Sequence, residues 1–332
     1  MKISYSPYTL KPTHHLNALS TQTEGRPGAL LKIEWPDGQT GFSDLHPWVE
    51  FGDASWEDHL AELRRGRILP LLEQSIWMAR KDAQFRKQGK SAFEGVTSVK
   101  NNYLVTDLTG EPAGTLADRL QTEGFDSVKL KVGRDLKYEA DFLNSLGREG
   151  QFKIRLDFNS IGTWSTFERF MKSLDKVVLS RIQYVEDPFP FESESWTEAR
   201  RFAPVAIDQQ ISRVDFKKIS GRPFDVVILK PAKTDVNTTL HSCVAHDFKI
   251  TVTSYMDHPV GVMHALAIAS ELKKSHPQRV LDAGCMTLKL FQMTAYSAEV
   301  LSAGPYIKRP PGKGIGFDLL LAKEPWVQLK LR

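Results

Sequence analysis

Between residues 127 and 230 the chain repeatedly builds a short apolar strand that ends on an ionisable residue. Ser127–Gly133 alternates Val128, Leu130 and Val132 against Lys129 and Lys131. Phe152–Asn159 alternates Phe152, Ile154, Leu156 and Phe158 against Lys153, Arg155, Asp157 and Asn159. Glu186, Asp208 and Lys230 close the next apolar runs, Ile182–Glu186, Val205–Asp208 and Val226–Lys230. From Lys131 through Asp157, Glu186 and Asp208 to Lys230, successive endings stand 22 to 29 residues apart, about one strand–helix unit each. Helical spacing fills the intervals. Leu136, Ala140 and Leu143 recur on one face, then Phe167, Phe170, Met171 and Leu174, with Ser165 as the expected N-cap. Tyr103–Thr106, Ile250–Ser254 and Val280–Ala283 bring the strands to eight. The pattern predicts an α/β fold, a (β/α)8 TIM-type barrel, whose C-terminal strand ends converge on one mouth.

The residues before the barrel read differently. Ala29–Trp35, the turn Pro36-Asp37-Gly38 and Gly41–Ser43 predict a hairpin, and Trp56–Phe85 is helical, with Pro70 expected to break or restart the helix. Gly312, Gly314 and Gly316 follow Pro310 and Pro311 and read as a turn before a returning strand, not a phosphate cradle. A formal net charge of +4 would admit nucleic acid, but acids dilute the bases almost everywhere. An anionic small substrate is the better partner, with neither nucleic acid nor membrane. Cys243 and Cys285 form no metal or disulfide pattern, no apolar run is long enough to span a bilayer, and the first residues lack a signal-peptide core. A cytoplasmic protein is expected, as a monomer or a homo-oligomer.

Period two places Lys129 and Lys131 on the same face, opposite the residues that meet the outer helices, so both point into the barrel. Taken singly, a strand lysine faces water and a strand-end carboxylate starts a turn. Taken together, buried charges need one another or a metal. Three carboxylates without imidazole or thiolate favour Mg²⁺, with Mn²⁺ as a substitute. The ion would hold down a lysine pKa by like-charge repulsion, which suits proton abstraction beside a carboxylate. Metal and a second cation would stabilise the enediolate.

Lys129-Leu130-Lys131, Arg155-Leu156-Asp157-Phe158-Asn159, Val185-Glu186-Asp187-Pro188, Ile207-Asp208 and Leu229-Lys230-Pro231 resemble the successive motifs of the enolase superfamily, in its muconate-lactonizing subgroup. Arg26-Pro27-Gly28, Gly41-Phe42-Ser43-Asp44 and Pro47 resemble that family's capping loops, and Thr253-Ser254, Asp257 and Gly261 its seventh-strand motif. The resemblance implies an N-terminal α+β capping domain over 1–100, the barrel over 101–304, and a segment over 305–332 that returns to the cap. The chain length and Asn101-Asn102-Tyr103-Leu104 most resemble the 2-succinylbenzoate synthases of menaquinone biosynthesis. That implies syn-dehydration of 2-succinyl-6-hydroxy-2,4-cyclohexadiene-1-carboxylate. Lys131 would be base and then acid, Lys230 a cation facing the enediolate, and Lys129 an electrostatic aid. Asp157, Glu186 and Asp208 would bind Mg²⁺.

Ser254 has two candidate uses, substrate contact or local hydrogen bonding. Asn159, Arg155 and Gln209 stand behind the ligands, Arg155 expected to pair with interior carboxylates. Gln209 departs from the family's usual Glu, Asp44 and Asp257 stand where Glu is common, and Gly284-Cys285-Met286 replaces a commoner Gly-Leu-Asp. His264 and Cys285 are expected to be structural, and His258 the better histidine for a mouth contact. The competing functions are an N-acylamino acid racemase or dipeptide epimerase, a metal-independent Schiff-base aldolase, and a non-catalytic barrel.

Overall fold

The computed structural model describes residues 1–13, 16, 25–219 and 221–330. The parts of the expected terminal units at 14–15, 17–24 and 331–332 lie outside the described residues. An antiparallel layer opens the chain, with β1 (Lys2–Leu10), β2 (Arg26–Glu34) and β3 (Thr40–Leu45). The expected hairpin is the β2–β3 pair, turning at Asp37-Gly38. The sequence pattern had not marked β1. Pro7 interrupts its alternation and is tolerated because β1 pairs on its outer side only at Ser4 and Tyr5, so beyond them that side is an edge.

Helices α1 (Trp56–Arg64) and α2 (Pro70–Lys87) follow, the latter begun by Pro70 at its first position. Proline lacks only an N–H that the first turn leaves unused, so the break restarts a helix. Strand β3 lies so close on α2 that a Cβ on Gly41 would meet the Ala79 carbonyl oxygen at 1.9 Å.

The rhythm then becomes strand and helix: β4 (Tyr103–Val105), α3 (Ala113–Glu123), β5 (Ser127–Lys131), α4 (Leu136–Glu149) and β6 (Lys153–Asp157). Next come α5 (Trp164–Ser173), α6 (Lys176–Leu179), β7 (Ile182–Glu186), α7 (Ser193–Ala199) and β8 (Val205–Ile207). The rhythm ends with β9 (Val226–Leu229), α8 (Val236–Ala245), β10 (Lys249–Val252) and α9 (Pro259–Ser275). Thr163, not Ser165, caps α5, through a capping box with Thr166. Among the described residues only one 3-10 turn, Ile211–Arg213, stands between β8 and β9.

The seven strands β4 to β10 form one parallel sheet in chain order, curled into a barrel. The expected eighth strand, Val280–Ala283, is ragged. It closes the barrel through isolated parallel bridges, Ile250 to Val280 and Thr253 to Gly284 on one side and Asn101 to Ala283 on the other. The largest apolar core lies between the sheet and its helices, and a second lies in the N-terminal layer. A small third core fills the barrel, made by Tyr184, Ala206, Val226 and Ile228.

Short elements finish the chain: α10 (Ala295–Glu299), β11 (Ser302–Ala303), β12 (Tyr306–Ile307), α11 (Asp318–Leu321) and β13 (Val327–Gln328). Strand β13 pairs with β1, so the C-terminal strand returns to the N-terminal sheet. Among the described residues no helix is long and apolar enough to cross a membrane.

Candidate active site

Parallel pairing sets the level of each charge. Lys131 pairs with Asp157 and Asp157 with Glu186, so three strand ends present ionisable groups side by side. Asp208 follows directly after β8 and Lys230 directly after β9. All five, with Lys129, line one cavity of about 1020 Å³ at the barrel mouth. In an eight-membered ring β9 lies four places from β5, so Lys230 and Lys131 face each other across that mouth.

The ion pairing is uneven. Lys129 Nζ bridges Asp157 Oδ2 at 2.9 Å and Glu186 Oε1 at 2.7 Å. Lys230 Nζ is bonded to Asp208 Oδ2. Lys131 has no carboxylate partner among the described residues, and its pKa falls to about 8. Burial is the main cause, and repulsion from Lys129 and Lys230 outweighs part of the attraction of Asp157. Burial also pulls Lys129 and Lys230 down, but Asp157 and Glu186 for the first, and Asp208 and Glu186 for the second, more than reverse it. Burial and the Asp157 charge push Glu186 up to about 8. One amine is thereby poised near neutrality between two held charged.

The supporting residues correct several expectations. Arg155 pairs with no carboxylate among the described residues. Its guanidinium donates to Asn102 Oδ1 and Gln183 Oε1, each at 2.8 Å, and to the Asp282 carbonyl at 3.0 Å. Asn159 donates its backbone N–H to Asp157 Oδ1 at 3.1 Å. Gln209 donates its N–H to Asp187 Oδ2 at 2.9 Å, and Asp208 donates to Asp187 Oδ1 at 3.0 Å. Asp187, which beside Pro188 reads as a loop opener, is therefore a buried clamp on the backbone of Asp208. Burial and the Asp208 charge raise its pKa to about 7. Ser254 lines the cavity and shares a 2.8 Å hydrogen bond with Thr287 Oγ1, so it has both of its expected surroundings.

His258 does not reach the mouth. It caps α9 and packs between Tyr8 and Tyr296, each ring centroid 4.6 Å away. Burial keeps it neutral, with a pKa of about 3. His264 meets the Phe42 carbonyl oxygen at 2.9 Å, and Cys285 is buried. Arg26–Gly28 and Gly41–Asp44 are strand residues rather than loops, with Asp44 bonded to Tyr8 Oη at 2.5 Å. The N-terminal layer reaches the cavity through residues 50–54 instead, and Tyr255, Asp53 and Lys233 join its wall. Only the Tyr255 position, directly after Thr253-Ser254 of the seventh-strand motif, carried a sequence signal.

Among the described residues no three His, Cys, Asp or Glu side chains stand as a ready metal cage. The donor chemistry nevertheless fits a hard divalent cation. Asp157, Glu186 and Asp208 are buried oxygen donors in one cavity, and a single cationic nitrogen, Lys129 Nζ, already bridges two of them.

Comparison with known proteins agrees with this architecture. Residues 3–85 match the family model of the o-succinylbenzoate synthase N-terminal domain, and residues 113–323 that of the enolase C-terminal domain-like family. An o-succinylbenzoate synthase of Bdellovibrio bacteriovorus is 50% identical over 332 residues, 100% of both chains. A dipeptide epimerase of Cytophaga hutchinsonii, complexed with Mg and the dipeptide D-Ala-L-Val, superposes with a TM-score of 0.76 at 15% identity, over 99% of each chain. The L-Ala-D/L-Glu epimerase of Bacillus subtilis gives 0.75 at 15% identity, over 95% of this chain and 98% of its own. At such identities the two structures speak for the fold alone. Enolase superfamily members generally use Mg²⁺. The chain belongs to the o-succinylbenzoate synthase family of lyases, within the enolase superfamily.

Proposed function

We propose that the chain is a Mg²⁺-dependent o-succinylbenzoate synthase of menaquinone biosynthesis, acting on 2-succinyl-6-hydroxy-2,4-cyclohexadiene-1-carboxylate. The observation that carries the reading is the opposition of Lys131, free of any carboxylate among the described residues, to the charged Lys230 across the cavity. A neutral amine at Lys131 accepts the proton from the carbon beside the carboxylate, and the C–H electrons pass into an enediolate. The same nitrogen, now an ammonium, returns that proton to the departing hydroxyl on the same ring face. Water leaves and the ring becomes aromatic. One group serves both transfers because a syn elimination keeps proton and hydroxyl on one side.

Lys230 faces the opposite side and stays charged, so it balances the negative charge as it develops. Lys129, ion-paired to both, favours the charged forms of Asp157 and Glu186. Asp157, Glu186 and Asp208 would hold Mg²⁺, which supplies positive charge at the substrate carboxylate when bound. Ser254 would hydrogen-bond the anionic substrate. A cytoplasmic setting belongs to the same proposal, supported by two free, buried cysteines.

The opposed lysines also suit racemisation of N-acylamino acids or epimerisation of dipeptides, in which both would exchange protons. Lys230→Arg keeps a cation without the acid–base capacity. It should abolish racemisation and leave residual dehydration. The deciding experiment follows loss of the cyclohexadiene by ultraviolet absorbance, with Mg²⁺ and with chelator. Turnover should require the metal, and Lys131→Ala should lower kcat by about 10³-fold or more. Failure of the wild type to turn over the diene with Mg²⁺ would sink the proposal and leave proton exchange in N-acylamino acids and dipeptides to be tested.

A further inference from the structure

Residues 48–53 of the N-terminal layer reach the cavity beside Tyr255, which follows β10 in the barrel. Tyr255 is held at both ends by that segment. Its carbonyl oxygen accepts the Trp48 indole N–H at 2.8 Å, and its hydroxyl donates to Asp53 Oδ2, also at 2.8 Å. Asp53 Oδ2 accepts the Trp48 backbone N–H at 2.9 Å, which makes the segment one unit. Lys233 adds a second tie, with Nζ 3.3 Å from the Tyr255 hydroxyl and 3.5 Å from Asp53 Oδ1. Trp48 is itself fixed from behind, with the Arg26 guanidinium 4.1 Å above its ring.

Between these two anchors the ring of Tyr255 lies 5.7 Å from Lys230 Nζ, within reach of a cation–π contact. A lysine stem has many rotamers, and Lys230 is otherwise bonded to Asp208. A ring fixed on its flank narrows the positions open to the ammonium.

We propose that Tyr255 is a positioning residue that couples the seating of residues 48–53 to the placement of Lys230. The hydroxyl seats the segment and the ring places the cation. The kinetic part rests on the dehydration reading given above, whereas the joint itself does not.

Two measurements on the full chain with Mg²⁺ separate them. Hydrogen exchange without substrate reads the joint. Amides of residues 48–54 should exchange about tenfold faster or more in Tyr255→Phe and in Asp53→Ala than in wild type, as loss of the Tyr255–Asp53 hydrogen bond implies. Kinetics on the cyclohexadiene read the coupling. Tyr255→Phe keeps the ring, so KM should rise about tenfold with kcat within about threefold of wild type. Tyr255→Leu removes the ring and should also lose about 100-fold in kcat, which the Phe variant restores. Tyr255→Phe combined with Asp53→Ala should lose less than the product of the single losses, because each single variant already removes the Tyr255–Asp53 bond. Unchanged exchange, a wild-type kcat in Tyr255→Leu, or simple multiplication in the double variant would each overturn the proposal. An inactive wild type would instead remove the dehydration reading, with exchange still deciding the joint.

Discussion

Among the described residues Lys131 is the cavity amine without a carboxylate partner, and that fact sets its chemistry. An amine with a pKa of about 8 is largely protonated at pH 7, with only about a tenth in the base form. Since the neutral form accepts the proton, kcat/KM should fall tenfold per pH unit below about 8 and level off above it. Bound Mg²⁺ adds positive charge nearby and moves the limb lower, never higher. A pH–rate profile on the cyclohexadiene checks this, and a limb above pH 10 would remove Lys131 as the base. Lys131, Asp157, Glu186, Asp208 and Lys230 were legible in the sequence because a charge ending an apolar strand breaks a strong pattern. Asp187 was not, since Asp-Pro is ordinary turn chemistry and its work is done on backbone N–H groups one strand away. Arg155 was legible as an inward residue, but its amide partners come from three separate segments, which no local pattern records.

Among the elements, α2 carries the connection between the two layers. Asp82 on this helix is buried. It accepts Phe42 N–H of β3 at 2.9 Å and Ile315 N–H of the C-terminal tail at 2.8 Å, and it pairs with Arg86 at 2.6 Å. Arg86 in turn reaches Asp318 Oδ1 at 2.6 Å and the Gly316 carbonyl at 2.9 Å. Asp82→Ala strands two buried donors and one guanidinium, so it should cost about 3–5 kcal/mol of stability. Thermal unfolding measures this, and a loss below about 1 kcal/mol would show that the network repairs itself. The helix itself was readable from its apolar spacing and Pro70. Its joining role was not, because Phe42, Asp82 and Ile315 are brought together only by the fold. The eighth barrel strand was the weakest element for a related reason. Val280–Ala283 reads as a strand, but it is held by isolated bridges from both neighbours, and Asp282 and Gly284 are poor strand formers.

For the whole molecule, the mouth is where charge balance and stability meet. Asp157, Glu186 and Asp208 are set against Lys129, Lys131 and Lys230 in one cavity, three acids against three amines. The folded barrel therefore concentrates oxygen donors that the unfolded chain keeps far apart. A cation that binds only the assembled donors stabilises the fold by mass action, about 2.7 kcal/mol when its concentration is 100 times its dissociation constant. For a chain of this size that corresponds to a rise in Tm of about 4 °C. Wild type should show such a rise with Mg²⁺ and lose it with chelator. Asp157→Asn removes one charged donor while preserving shape, so its Tm should respond much less to Mg²⁺. The measurement needs no substrate, which separates metal binding from catalysis. A wild-type Tm indifferent to saturating Mg²⁺ would mean that the amines alone neutralise the carboxylates. The three carboxylates would then serve to set lysine pKa values, and Lys131 would have to work without the ion.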